Sequence, residues 1–139
     1  MTPGEMAEIH ARAMTVPPPW NAPTMAGFLA AAGAVCVSRD RAFALGRVIA
    51  DEAELLTIAV DPAAQGRGLG RVCLREFLRQ CRKAGARRIF LEVAATNEVA
   101  RGLYRSEGFA EDGHRKSYYR ARGADPVDAI LMSRSLDAA

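Results

Sequence analysis

Apolar positions recur along this chain with two different periods, and the places where the period changes divide it into helices and strands. Thr2, Pro3 and Glu5 stand ahead of Met6, Ile9, Ala13 and Met14. A hydroxyl cap, a proline at the first helical position and a carboxylate three residues after the cap predict a helix closed by a capping box. Pro17, Pro18 and Pro19 cannot be helical, because proline lacks the amide hydrogen and clashes with the preceding turn. A loop therefore separates the first helix from a second, which starts near Asn21 and carries Met25, Phe28 and Leu29.

After Gly33 the pattern changes to short apolar runs, Ala34 to Val37, Ala42 to Ala50 and Glu54 to Val60, with polar turns at Ser38 to Arg41 and Asp51 to Ala53. These predict antiparallel strands joined by hairpins. Asp61-Pro62 closes the third strand, since proline cannot donate to a sheet ladder and restricts the residue before it. From about Arg67 to Ala84, Leu69, Cys73, Phe77 and Cys81 recur every four residues beside Leu74 and Leu78, a helix that Gly85 ends. A strand from Arg87 to Val93, a helix from about Asn97 to Glu107, and strands near Phe109 to Tyr119 and Asp128 to Ser135 complete the order. The fold class is α/β of the mixed α+β kind: a central mixed sheet of about six strands flanked by about four helices. The crossover helix between the third and fourth strands predicts that this pair is parallel.

With 139 residues the chain suits one domain spanning 1–139. Half the residues are hydrophobic and a quarter charged, which argues against disorder, collagen-like structure and a disulfide scaffold. The longest uncharged apolar stretch, Met25 to Val37, falls short of the ~20 residues a bilayer span requires. The opening residues carry Glu5 and Glu8 rather than the basic-then-apolar layout of a secretory signal, and the expected location is the cytoplasm. Cys73 and Cys81, eight positions apart on one helix, would be separated by roughly 12 Å, too far for a disulfide. With Cys36 they are expected as buried small hydrophobes. Together with His10 and His114 they match no metal-ligand spacing, so no metal is implied. The net charge of +3 names no partner, and no stretch interleaves basic and aromatic residues as single-strand binders do.

The strongest local signal is Gln65-Gly66-Arg67-Gly68-Leu69-Gly70, between a strand end and a helix start. Alternate glycines leave amide groups open to close approach, and the first turn of a helix presents unpaired donors with partial positive charge. That combination suits a diphosphate; the competing reading is a mere tight turn. Arg71 stands where a dinucleotide fingerprint needs a small residue, and the Lys followed by Ser or Thr of a nucleoside-triphosphate loop is missing. Arg67 and Arg71 oppose the helix dipole unless an anion neutralises them, which favours a bound anion. Arg75 and Arg79 read as a solvated helix face.

Gln65, Gly68 and Gly70 repeat the pyrophosphate-loop pattern of the GNAT superfamily of N-acetyltransferases, and the chain resembles that family. Ile58-Ala59-Val60-Asp61-Pro62 looks like the end of its central strand, and Asn97, Ala100, Leu103, Tyr104, Gly108 and Phe109 repeat its second motif. Leu91-Glu92-Val93, Arg115, Tyr118-Tyr119 and Asp128 to Met132 narrow the resemblance to the RimI-type ribosomal-protein-alanine N-acetyltransferases, over about Leu55 to Leu136 with a weaker echo at Trp20. The sequence departs from that pattern by starting at the first helix, without the family's opening strand, and by its prolines before Trp20.

The resemblance implies acetyl-CoA as co-substrate, held by Ile58, Ala59, Val60, Gln65, Gly66, Arg67, Gly68, Leu69, Gly70, Arg71 and Asn97, with backbone donors near Val60 stabilising a tetrahedral intermediate. Asn97 is also the expected cap of its helix. The implied acceptor is a protein N-terminal amine, that of an N-terminal alanine on a small-subunit ribosomal protein, with no direct nucleic-acid or membrane partner. Trp20 and the segment Tyr118 to Asp125 would flank the acceptor groove, Tyr118 and Tyr119 as walls; these aromatics can equally pack a hairpin. Glu92 is a carboxylate in an otherwise apolar strand, on the side of Phe90 rather than Leu91, and burial would make it a proton acceptor. The other reading pairs it with an arginine. Tyr104 is the general acid for the departing thiolate by resemblance, or a core tyrosine. His114 reads as a polar strand residue rather than a catalyst. Acetylation of a lysine or small amine, and a non-catalytic CoA-binding module, remain the alternatives.

Overall fold

The computed structural model describes residues 1–14, 17–119 and 125–137. Helix α1 (Pro3–Ala13) opens on the expected capping box: Thr2 Oγ1 accepts from the Glu5 amide at 3.1 Å while Glu5 Oε1 accepts from the Thr2 amide at 3.2 Å. Helix α2 (Ala22–Ala30) follows Asn21, whose Oδ1 accepts from the Thr24 amide. Strands β1 (Ala34–Arg39), β2 (Ala42–Ile49) and β3 (Glu52–Val60) form an antiparallel meander. Helix α3 (Leu69–Lys83) crosses to β4 (Arg88–Ala94), parallel to β3; helix α4 (Glu98–Ser106) leads to β5 (Ala110–Tyr119) and β6 (Val127–Ser135). The sheet order is β1-β2-β3-β4-β6-β5.

Boundaries differ from the sequence pattern where the backbone turns tightly. The hairpins close on two residues, with Arg41 at φ 66° and Ala50 at φ 55°, so β1 runs on to Arg39 and β3 resumes at Glu52. Such turns favour glycine or asparagine, and neither is present to mark them. Helix α3 starts at Leu69 rather than Arg67 because Gly68, at φ 78°, is left-handed and lies outside the helix.

Each sheet face buries its own core. Cys73, Leu74, Phe77, Leu78 and Cys81 of α3 pack with Ala44, Leu55, Ile89, Leu91 and Met132 on one face. Met6 and Ile9 of α1 and Met25 of α2 cover Phe43, Leu45 and Ala59 on the other. Burying a side chain such as Phe77 or Leu74 contributes about 1.5–3 kcal/mol. Cys36 departs from expectation: it is exposed, on β1, the edge strand of the sheet. The buried Cys81 thiol is pushed up to about 12 by desolvation. No described helix is long and apolar enough to cross a membrane.

One inserted residue organises the centre of the sheet. Leu45 pairs with Thr57 but Gly46 pairs with Leu55, leaving Leu56 as a bulge in β3. A bulge reverses the alternation of side chains beyond it. Thus Ala53 and Leu55 face α3, whereas Thr57 and Ala59 face α1 and α2. Gly46 opposite the bulge is obligatory, since a Cβ there would sit 2.1 Å from the Glu54 carbonyl oxygen and 2.4 Å from Phe77 Cζ. At the same place the parallel pairing of β3 with β4 ends, at Leu55 and Leu91. Beyond it β3 stays with β2 to Val60 and β4 stays with β6 to Ala94, so the two strands diverge and the sheet splits.

Candidate active site

A cavity of about 330 Å3 occupies the split. Its floor is Leu55, Leu56 and Thr57 on one side and Glu92, Val93 and Ala94 on the other. Its rim comes from distant parts of the chain: His10, Met14, Pro17 and Trp20 on the α1–α2 side, Asn97, Ala100 and Tyr104 from α4, and Tyr118 and Tyr119 from β5. Candidates dispersed over a hundred residues of sequence are therefore brought to one opening.

Tyr104 is buried against Phe109, ring centroids 5.7 Å apart. No described group hydrogen-bonds its hydroxyl, yet among the described residues no buried side-chain oxygen lacks a partner, so the hydroxyl reaches the cavity. Burial, with Tyr119 adding to it, raises the phenol far above its ordinary value and keeps it protonated. Glu92 shares a face with Phe90, opposite Leu91, as period-two geometry requires. The expected burial is not met. Its side chain is 29% exposed, with Arg115 Nη1 3.5 Å from Oε1, because β4 beyond Leu91 borders the split rather than a third strand. Burial first, and the Glu92 carboxylate second, push the Tyr119 phenol up to about 12.

Tyr118 and Tyr119 owe their position to an irregularity in β5. The register breaks between Arg115 and Tyr119, with Ser117 at φ 52° and its amide donating to Asp128 Oδ1. The two rings meet edge to face, and Arg115 lies 5.0 Å over Tyr118. The expected acceptor flank from Tyr118 to Asp125 otherwise falls mostly outside the described residues. His114 bonds Asp128 at 2.6 Å and is absent from the cavity lining.

The glycine turn lies at the neighbouring end of β3. Asp61 caps a single 3-10 turn (Pro62–Ala64), Gln65 Nε2 returns to the Val60 carbonyl at 3.2 Å, and Gly66 and Gly68 follow at φ 81° and 78°. Nothing lies within 4 Å of where a Cβ would stand on either glycine, and α3 has no side-chain cap. The first turn of α3 therefore keeps its amides without a side-chain cap next to an open glycine turn, as a cradle for a phosphate group needs. Gly70 is different: a Cβ there would make ordinary contacts with Val60 and Leu103 at 3.6–3.7 Å. Ile58 and Val60 turn their side chains into the α3 core and Ala59 into the other, which leaves only their main chain to a ligand. Asn97 Oδ1 caps α4 through the Ala100 amide at 3.2 Å, and Asn97 also lines the cavity.

Arg71 corrects the electrostatic expectation. It donates to Ser106 Oγ at 2.9 Å and pairs with Glu107 at 3.2 Å, so α4 supplies its counter-charge. Arg75 shares Glu107, and Arg79 pairs with Glu76. Among the charged residues of the turn, Arg67 is exposed and has no ion pair among the described residues. No described cluster of His, Cys, Asp or Glu is arranged to hold a metal.

Two cavity residues escape the sequence pattern. His10 is 1% exposed; its Nε2 lies 2.8 Å from Thr57 Oγ1, and the Trp20 amide donates to its Nδ1 at 2.8 Å. Desolvation lowers its pKa to about 4. Trp20 stacks on Phe28 at 4.5 Å and tilts against His10, so it is both packed and cavity-lining. A histidine at an inward position of α1 was the available signal, but its partners lie ten and 47 residues away.

The model of the Acetyltransferase (GNAT) family matches residues 17–109. The ribosomal protein bS18-alanine N-acetyltransferase of Salmonella typhimurium is 45% identical over 96 residues, 68% of this chain and 64% of that protein. The N-alpha-acetyltransferase RimI of Mycobacterium tuberculosis is 52% identical over 81 residues, 58% of this chain and 49% of that protein. The matches thus span from half to just under two thirds of these relatives' lengths. In three dimensions the ribosomal-protein-S18-alanine N-acetyltransferase of Escherichia coli superposes with a TM-score of 0.85 at 34% identity, covering 97% of this chain and 88% of that one. With its split sheet, open glycine turn and matching family model, the chain belongs to the GNAT family of acetyltransferases.

Proposed function

We propose that residues 1–139 form one N-acetyltransferase domain that moves acetyl from acetyl-CoA to a protein N-terminal α-amine in the cytoplasm. The acceptor proposed is the N-terminal alanine of a small-subunit ribosomal protein, the class named for the relatives above. The observation that carries this reading is the split itself: β3 leaves its edge from Leu56 to Val60 unpaired beside a cavity holding Glu92, Tyr104 and Asn97.

Acetyl-CoA supplies the activated thioester. Gly66, Gly68 and the first-turn amides of α3 hold the diphosphate, with Gln65 fixing the turn to Val60 and Arg67 the exposed cation beside it. Main-chain donors of the unpaired end of β3 are available to a carbonyl oxygen, in the manner of an oxyanion hole. Tyr104 holds its proton at the cavity wall and passes it to the departing sulfur as the C–S bond breaks. Glu92, directly or through water, takes the proton the amine loses as the C–N bond forms. Trp20, Tyr118 and Tyr119 line the acceptor entrance.

A weak base suffices for this acceptor. An α-amine of pKa ~7.8 is roughly 14% neutral at pH 7, whereas a lysine at ~10.4 is about 0.04% neutral, a difference of ~3.5 kcal/mol. A half-buried, arginine-paired Glu92 therefore suits an α-amine better than an ε-amine. The test is acetyl transfer to a panel of peptides with mapping by mass spectrometry. Marks confined to α-amines, strongest on N-terminal alanine, are expected. Modification of lysines or small amines alone would replace this reading, and cofactor binding without transfer would reduce the chain to a CoA-binding module.

A further inference from the structure

The His10, Thr57 and Trp20 cluster has a fixed hydrogen-bond polarity. The Trp20 amide can only donate, so His10 Nδ1, 2.8 Å away, must be an acceptor and carries no proton. A neutral imidazole has one N–H, which is then on Nε2. That N–H faces Thr57 Oγ1 at 2.8 Å, and the hydroxyl oxygen accepts. A doubly protonated ring would set N–H against the Trp20 N–H, and its burial at 1% exposure works against the charge as well.

Thr57 cannot return its own hydrogen to His10. No described group accepts it, although the residue is only 7% exposed and lines the cavity. A buried donor without a partner costs about 1–3 kcal/mol, so this hydroxyl is a directed donor in the cavity floor. An acceptor peptide offers little to receive it. Its amine lone pair must face the thioester, and its amide nitrogens donate. The carbonyl oxygen of the first residue is the acceptor group nearest the reacting amine. A lysine ε-amine has four methylenes there instead.

We propose that Thr57 donates its hydroxyl hydrogen to the carbonyl oxygen of the acceptor's first residue, and that His10 is the positioning residue that holds the hydroxyl in that polarity. This rests on the reading of the chain as an N-terminal acetyltransferase and adds to it the device that separates α-amines from ε-amines.

Steady-state kinetics on the full chain with an alanine-starting peptide test it. Thr57→Val, which keeps the branched shape, is expected to raise the peptide KM about ten-fold while kcat and the acetyl-CoA KM stay within about two-fold, and Thr57→Ser to restore the parent KM. The parent enzyme should suffer the same loss with a peptide whose first carbonyl is replaced by methylene, and Thr57→Val should lose nothing further with that peptide. His10→Phe should raise the peptide KM similarly, and adding Thr57→Val to it should change KM by less than about two-fold. An unchanged peptide KM in Thr57→Val, or an equal loss in kcat and in acetyl-CoA KM, overturns the hydrogen bond while leaving N-terminal acetylation intact. A parent enzyme that modifies no peptide N-terminus overturns both.

Discussion

The two proposed binding regions beside the split are built in opposite ways. The proposed cofactor region is a continuous run, Ile58 to Arg71, whose geometry comes from local rules: a strand ended by Asp61-Pro62, one 3-10 turn, two left-handed glycines and a helix start. The proposed acceptor wall draws His10, Trp20, Thr57, Glu92, Tyr104, Tyr118 and Tyr119 from six elements and loops, and it is their tertiary arrangement that brings them to one cavity. A diphosphate is the same in every reaction of this kind, so a local motif can serve it. An acceptor groove must be shaped for one substrate, and assembling it from distant segments lets each wall change without disturbing the other.

Substitutions on the two walls should separate accordingly. The largest effect is expected from Tyr104→Phe on the acceptor side: turnover falls by about a thousandfold while the acetyl-CoA KM is nearly unchanged. Rapid-quench kinetics would check it, and full activity would remove Tyr104 from the proposed chemistry. Next is the acid sensitivity of the His10 cluster. The unfolded histidine takes up its proton near pH 6.5 and the folded one only at about 4. Between these values the unfolded state binds more protons, so stability falls as pH falls, by roughly 2–4 kcal/mol in total. Denaturant titrations from pH 7 to pH 4 should show this loss in the parent and a smaller one in His10→Phe.

On the cofactor wall, Gly68→Ala forces a Cβ onto φ 78° without any steric neighbour. The strain of about 1–2 kcal/mol should weaken acetyl-CoA binding about ten-fold by calorimetry and leave the fold intact. Glu92→Gln should have the smallest effect: turnover falls several-fold at pH 7 and recovers toward pH 9, because an amine of pKa ~7.8 then deprotonates unaided. A loss that persists at pH 9 would give Glu92 a role other than base.

The same contrast explains what was legible beforehand. The capping box at Thr2, the helix start near Asn21, the cap at Asn97, the α3 stripe from Cys73 to Cys81 and the glycine turn all rest on residues within a few positions of one another. They are found where the pattern predicts. Trp20, Tyr118 and Tyr119 were candidates through family resemblance, since exposed aromatics have no local signature of their own. His10 and Thr57 carry no such signature, because a lone histidine acquires meaning only from a partner 47 residues away. Alternation places Glu92 on the correct face but overstates its burial, since it says which side a residue faces and not how far the next strand stands off. The exposure of Cys36 escapes the sequence for the related reason that edge position is a property of the sheet.

By itself, then, the amino-acid order determined the elements, their order, the parallel β3–β4 pair and the glycine turn before α3, consequences of caps, periods and glycine. Only the tertiary structure decided that Leu56 is a bulge, that β3 and β4 diverge after Leu55 and Leu91, and that Thr57 consequently faces His10. A bulge depends on which residues oppose it across two strands, and a split depends on which pairings fail to form. Both are settled by packing of Phe77 under Gly46 and of α1 and α2 over the other face, which no window of sequence contains.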